Sequence, residues 1–138
     1  IYSKGHEIGN HGYYHKDYSK FDYNAAYDDI KHADNSLKNI INDDIKLFSP
    51  PSGAYNNEVI KAVKDLNYHK MVLWSIDTID WKQTTTKEKI YNRIINKIEY
   101  SDIILIHPTK NTVNMLEEII ITLQDNGYQI ITISKMIE

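Results

Sequence analysis

The chain has 138 residues, 41% of them apolar, with 16 basic residues against 19 acidic and a net charge of -3. That length supports one globular domain with a real core and crowds two. The even charge balance lacks the basic block a phosphate backbone needs, which argues against nucleic acid as a partner, and with no cysteine there are neither disulfides nor thiolate metal sites.

The sequence opens Ile1-Tyr-Ser-Lys, without an initiator methionine or a signal-peptide pattern, and reaches a chemistry-bearing cluster within about ten residues. It reads as a segment excised from a longer protein, with any export signal or membrane anchor upstream. No apolar stretch approaches the length of a membrane span, so no membrane contact is expected from this segment. Residues 7–10 are the first strand candidate. They lead into His11-Gly-Tyr-Tyr-His15, whose spacing lets two imidazoles converge on one ion from a turn. By itself such a pair is weak evidence for a metal site, because histidines also serve as ordinary hydrogen-bonded polar residues. Gly9 and Gly12 permit a tight backbone path there, while His6, His32 and His69 have no such partner and read as surface or structural residues.

Residues 24–42 carry Ile30, Ala33, Leu37, Ile40 and Ile41 at helical spacing. A short apolar run at 46–49 follows and ends in Ser49-Pro-Pro-Ser-Gly53. Asn56 and Asn57 are cap candidates for a helix with Val59, Ile60, Val63 and Leu66 on one face. The run 71–76 predicts a strand, ending in Asp77-Thr-Ile-Asp-Trp81. Asp77 and Asp80 could equally be turn or cap residues, which aspartate favours. Thr85 followed by Glu88 reads as a capping box for a helix with Ile90, Ile94, Ile95 and Ile98 in one stripe. Residues 103–106 predict a strand that delivers Leu105-Ile-His107 and is closed by Pro108. A last helix spans 111–126, with Val113, Leu116, Ile119, Ile120 and Leu123 inward and Gly127 as its stop, before a final strand at 130–133. The strand runs lack polar alternation, as in parallel strands covered by helices on both faces. The expected fold class is therefore α/β, parallel strands alternating with helices, and such folds place their chemistry at strand ends.

Taken together, the four clusters resemble the polysaccharide deacetylase family, the NodB-homology or carbohydrate esterase family 4 enzymes. Their motifs run TFDD, H[S/T]xxH, RxPxG, DxxDW and LxH, and this chain supplies the last four in order across nearly its whole length. The runs GHEIGNHGYYH, SPPSGAY and ILIHPT are similar to a sporulation-associated branch. The resemblance implies that residues 1–138 are one deacetylase-type domain, a fragment of a distorted, TIM-like (β/α) barrel lacking its N-terminal strand or strands. The implied reaction is hydrolysis of the acetamide carbon–nitrogen bond of an N-acetylated polysaccharide, peptidoglycan or a chitin-like N-acetylglucosamine polymer. It uses a divalent metal, zinc being the leading candidate.

By position, the resemblance makes His11 and His15 metal ligands, His107 the general acid and Asp77 the carboxylate that orients it. Trp81 and Leu105 would wall the acetyl pocket, and the Pro51–Ser52 turn would contact substrate, with the Ser52 N–H helping to hold the oxyanion. It places the parent protein outside the cell, wall- or spore-associated, with any membrane anchor in the upstream segment. Three departures stand out. TFDD, source of the third metal ligand and the catalytic base, is absent, so the segment alone is expected to hold metal weakly and to be inactive. Gly12 replaces Ser or Thr, removing a supporting hydrogen bond. Ser49 occupies the position of the arginine that orients the base, and Arg93, the sole arginine, falls within a predicted helix. These departures leave room for a catalytically impaired pseudo-enzyme that binds wall glycan or has a structural role in sporulation; a different metallohydrolase on a similar barrel is a third, weaker alternative. Missing strands would expose a sheet edge and invite self-association.

Overall fold

A computed structural model describes residues 1–137, and its chain divides into two compact units, Ile1–Leu73 and Trp74–Glu138. In the first unit, helix α1 (Tyr23–Ile41) starts at Asp22, whose side chain accepts a hydrogen bond from the Ala25 N–H, and stops at Asn42 in the left-handed conformation. Both are ordinary helix-end chemistry. Strand β1 (Leu47–Phe48) is fully buried, and helix α2 (Asn57–Asp65), capped by Asn56, returns the chain to strand β2 (Lys70–Met71). β1 and β2 pair in parallel, Leu47 opposite Lys70, and Asn10 adds a single parallel bridge to Phe48. The core is Tyr18, Ala26, Ile30, Phe48, Val59 and Ala62, each fully buried.

The second unit repeats the strand–helix–strand scheme. Strand β3 (Ile76–Asp77) pairs in parallel with β4 (Ile104–Leu105) through helix α3 (Lys87–Ile95), and α3 packs on helix α4 (Lys110–Asp125). Ile76, Ile90, Ile94, Ile119 and Leu123 form its core. A short helix α5 (Ile133–Met136) follows.

Several expectations need correction. The apolar run at 71–76 is not one strand: Val72 N–H still bonds to the Phe48 carbonyl, but Ser75 and Ile76 N–H bond to Ile103, so the run changes partners midway. Residues 130–133 form no strand. Thr132 caps α5 by accepting from the Lys135 N–H, and Ile130 and Ile131 lie exposed. The cap of α3 is Thr86 rather than Thr85, whose hydroxyl instead donates to the Ile79 carbonyl. Val113 is exposed rather than inward, and Ile40 and Ile60 lie on solvent-facing sides of their helices.

Candidate active site

In the first unit, the bridge between Asn10 and Phe48 launches the turn that carries both histidines. Asn10 is 1% exposed, and its amide nitrogen donates to the Ile30 carbonyl and to the Tyr68 hydroxyl, while its amide oxygen accepts the Gly12 N–H. The side chain thus ties the start of the turn to α1 and to the core. Burial raises the pKa of the Tyr68 phenol, so it stays protonated at the end of this chain of bonds. His15 closes the turn at φ +52°, in the left-handed region that side chains with a Cβ seldom occupy.

The two imidazoles meet edge to face with ring centroids 5.1 Å apart. Two imidazoles bound to one zinc at about 2.0–2.1 Å with a tetrahedral angle between them would have centroids about 5 Å apart, so the pair fits two places of such a site. His11 Nδ1 lies 2.7 Å from the Ser49 carbonyl oxygen. A carbonyl only accepts, so the ring proton sits on Nδ1 and the Nε2 lone pair becomes the ligating one, the arrangement by which outer-shell contacts orient metal-binding histidines. Ser49 therefore contributes backbone where the family pattern has a guanidinium. Among the described residues no group of three or more His, Asp or Glu side chains is gathered for a metal. The turn Pro51–Gly53 follows. Gly53 and Ala54 spend their N–H groups on the Pro50 and Pro51 carbonyls, and Ser52 is left-handed at φ +57° and exposed. Pro51, expected to touch substrate, is fully buried and supports the turn from within.

In the second unit the residue against His107 is Asp80, not Asp77. Asp80 Oδ1 lies 2.7 Å from His107 Nδ1, and Oδ2 accepts the His107 backbone N–H at 2.6 Å and the Thr112 hydroxyl at 2.6 Å. Its side chain is completely inaccessible, while that of His107 is 41% exposed. Burial alone would raise the Asp80 carboxyl. The Thr112 hydroxyl and the two His107 donors outweigh it and hold the group below the usual carboxylate range. A carboxylate facing Nδ1 fixes the proton there, so Nε2 is the nitrogen available to exchange a proton outside the dyad.

Asp77 has a different task. Its Oδ1 accepts the Ile79 N–H at 2.8 Å, and Thr85 donates to the Ile79 carbonyl, so both ends of Ile79 are held at φ +55°. A β-branched residue there is strained, and the strained turn carries the chain from the β3 end to Asp80. The DxxD spacing thus contains one residue that builds the turn and one that meets the histidine, and sequence order alone does not say which is which. Trp81 is 56% exposed with the Lys82 ammonium 5.1 Å from its ring centroid, and Leu105 is half-buried in β4 opposite Asp77. Both are compatible with a pocket wall.

The sequence model of the polysaccharide deacetylase family matches residues 1–71. The uncharacterized protein YlxY of Bacillus subtilis is 35% identical over 141 aligned positions, covering the whole of this chain and 43% of that protein. A peptidoglycan-N-acetylglucosamine deacetylase of Bacillus cereus is 32% identical, over 99% of this chain and 66% of its own length. Among solved structures, a CE4 family pseudoenzyme from Bacillus anthracis superposes with a TM-score of 0.94 and 29% identity over all of this chain and 48% of its own. A mutant of that pseudoenzyme described as having restored enzymatic activity superposes equally well. The chain spans less than half of YlxY and of the pseudoenzyme.

Proposed function

The chain belongs to the polysaccharide deacetylase family, and on that premise we propose that residues 1–138 form part of a longer, exported protein whose reaction class is metal-dependent hydrolysis of the acetamide of an N-acetylated glycan, peptidoglycan or a related polymer. The observation that carries this reading is the His107–Asp80 dyad. Its buried carboxylate holds a half-exposed imidazole in one tautomer with Nε2 outward, the geometry of a positioned general acid. In the reaction, Nε2 of protonated His107 gives its proton to the departing sugar amine while Asp80 keeps the imidazolium oriented. His11 and His15 would hold the divalent ion, zinc being the first candidate. A bound ion supplies Lewis-acid polarisation of the amide carbonyl. Trp81 and Leu105 fit an apolar wall around the acetyl methyl group.

The 138 residues contain no TFDD, so a base and a further ligand have to come from elsewhere and the chain alone should release no acetate. One observation favours a second reading, a glycan-binding pseudo-enzyme with a wall-associated or sporulation role. At Ser49 this chain offers His11 a carbonyl but offers a base no cation. The likeness to a CE4 pseudoenzyme supports the same view. The test is acetate release from an N-acetylglucosamine oligomer by the full-length protein with zinc supplied. Activity that rises in Ser49→Arg, because a guanidinium orients a carboxylate through paired hydrogen bonds, and falls by orders of magnitude on adding His107→Ala, supports the deacetylase. Inert parent and Ser49→Arg proteins that still bind glycan support the pseudo-enzyme.

A further inference from the structure

Helix α1 presents Ala26, Ile30 and Ala33 to the core, and on this same stripe stands an acid, Asp29, only 6% exposed. Among the described residues no cation forms an ion pair with it, although Lys16 and His32 line the same small pocket. Instead its carboxylate accepts two amides of the turn that bears the histidines, the Tyr13 N–H at 2.8 Å and the Tyr14 N–H at 3.3 Å, and the hydroxyl of fully buried Tyr18, three residues past His15. The Tyr18 phenol is held protonated by burial and by this same carboxylate, so it always donates. Tyr18 and Asp29 also fill the space above Gly12. A Cβ built on Gly12 would lie 2.5 Å from the Tyr18 hydroxyl and 3.0 Å from Asp29 Oδ2, and Gly12 sits at φ +77°.

From this we infer that Asp29, locked by Tyr18, is the positioning residue of the His11–His15 pair, and that the Tyr18 hydroxyl takes the place of the hydroxyl side chain missing at Gly12. Burying a carboxylate without a cation is costly unless its lone pairs are filled, and here the fillers are the amides between the two histidines. The spacing of the imidazoles is therefore set from α1, through the backbone of Tyr13 and Tyr14. This inference deepens the metal-site reading above and rests on it for its purpose, though not for its geometry.

The test uses the 138-residue chain and zinc alone as the probe. Zinc affinity is read from the His11 and His15 ring signals by NMR, amide exchange at Tyr13 and Tyr14 is read in the same samples, and urea midpoints are read separately. Asp29→Asn, which keeps the shape but turns an amide N–H₂ toward one of the donors, should expose the Tyr13 and Tyr14 amides to exchange. It should also weaken zinc binding about 10- to 100-fold, the usual cost of losing an outer-shell partner. A purely structural role would lower the urea midpoint and leave the affinity of the folded protein unchanged, and that result overturns the inference. Should Asp29→Asn not fold, a double-mutant cycle decides. Gly12→Ser should weaken zinc binding when introduced alone and cost measurably less in a Tyr18→Phe background, where the obstructing hydroxyl is gone; additive effects refute the exchange of one hydroxyl for the other. If the unaltered chain binds zinc no better than His11→Ala, the His11–His15 pair is no site by itself and the affinity part of the inference fails, while the amide-exchange arm still decides whether Asp29 orders the turn.

Discussion

Replacing Asp80 by Ala should be far more damaging than replacing Asp77, three residues earlier in the same motif. Asp80→Ala strands the His107 N–H, the His107 ring N–H and the Thr112 hydroxyl around an empty buried space. Hydrogen bonds to a charged group contribute about 1.5–3 kcal/mol each, but the three share one carboxylate and water can reach His107, so the sum is discounted. Breaking a buried charge network by removing one partner costs about 3–5 kcal/mol, and the lower half of that range is expected. Asp77→Ala loses one bond from a half-buried carboxylate to the Ile79 N–H and loosens a strained turn, a cost of about 1–2 kcal/mol. Both tryptophans, Trp74 and Trp81, lie in the second unit, so urea unfolding followed by tryptophan fluorescence reads this unit directly. Equal losses for the two variants, or a larger one for Asp77→Ala, would refute the assignment of Asp80 as the histidine's partner.

Three other outcomes are expected. Because the carboxyl of folded Asp80 titrates below its unfolded value of about 3.9, its contribution is complete above that value and disappears as pH falls through the lower folded one; tryptophan-detected stability should drop below about pH 4, with a shallower drop in Asp80→Asn. Calorimetry should find zinc binding to the 138-residue chain weak, since the described residues supply two imidazoles and no third gathered ligand, and tight stoichiometric binding that survives His11→Ala would contradict the proposed ligands. The second unit contains a cavity of about 620 Å³ lined by Ile98, Ile106, Leu116, Ile120, Ile131 and Met136 among others, and each sheet of the described residues has only two strands, β1 being bridged further by Asn10. The chain should therefore bind a hydrophobic dye and associate with rising concentration. Light scattering from a monomer at high concentration, with no dye bound, would contradict this.

The helices were legible from their apolar stripes, and α2 also from its cap, Asn56, whose side chain accepts the Val59 amide; the caps of α1 and α4, Asp22 and Thr109, were not read from the sequence, and that of α3 was placed one residue early. The strands were legible only as apolar runs. Composition could not show that residues 71–76 serve two different partners, since pairing depends on distant residues such as Phe48 and Ile103. Residues 130–133 misled because an isoleucine-rich run has the same signature whether or not a neighbouring strand exists to pair with it. At the site, His11, His15 and His107 were visible from spacing and position. The choice between Asp77 and Asp80 was not, because a left-handed Ile79 reverses the path between them. Asp29 left a trace that could have been read, a lone acid at the i+3 position of an otherwise apolar helical stripe running Ala26, Ile30, Ala33. Asn10 left none, since its role depends on a bond to Tyr68, 58 positions away.

Both parallel ladders close inside their own unit, β1 on β2 and β3 on β4, each across a single intervening helix. Neither pairing has to wait for the other, so the two halves should behave as separate cooperative blocks in native-state hydrogen exchange. A lesion such as Asp80→Ala would then melt the half that carries His107 at denaturant concentrations where the His11–His15 turn remains protected. A cell degrading such a variant would meet a chain with the His107–Asp80 pair lost and the turn between His11 and His15 still folded.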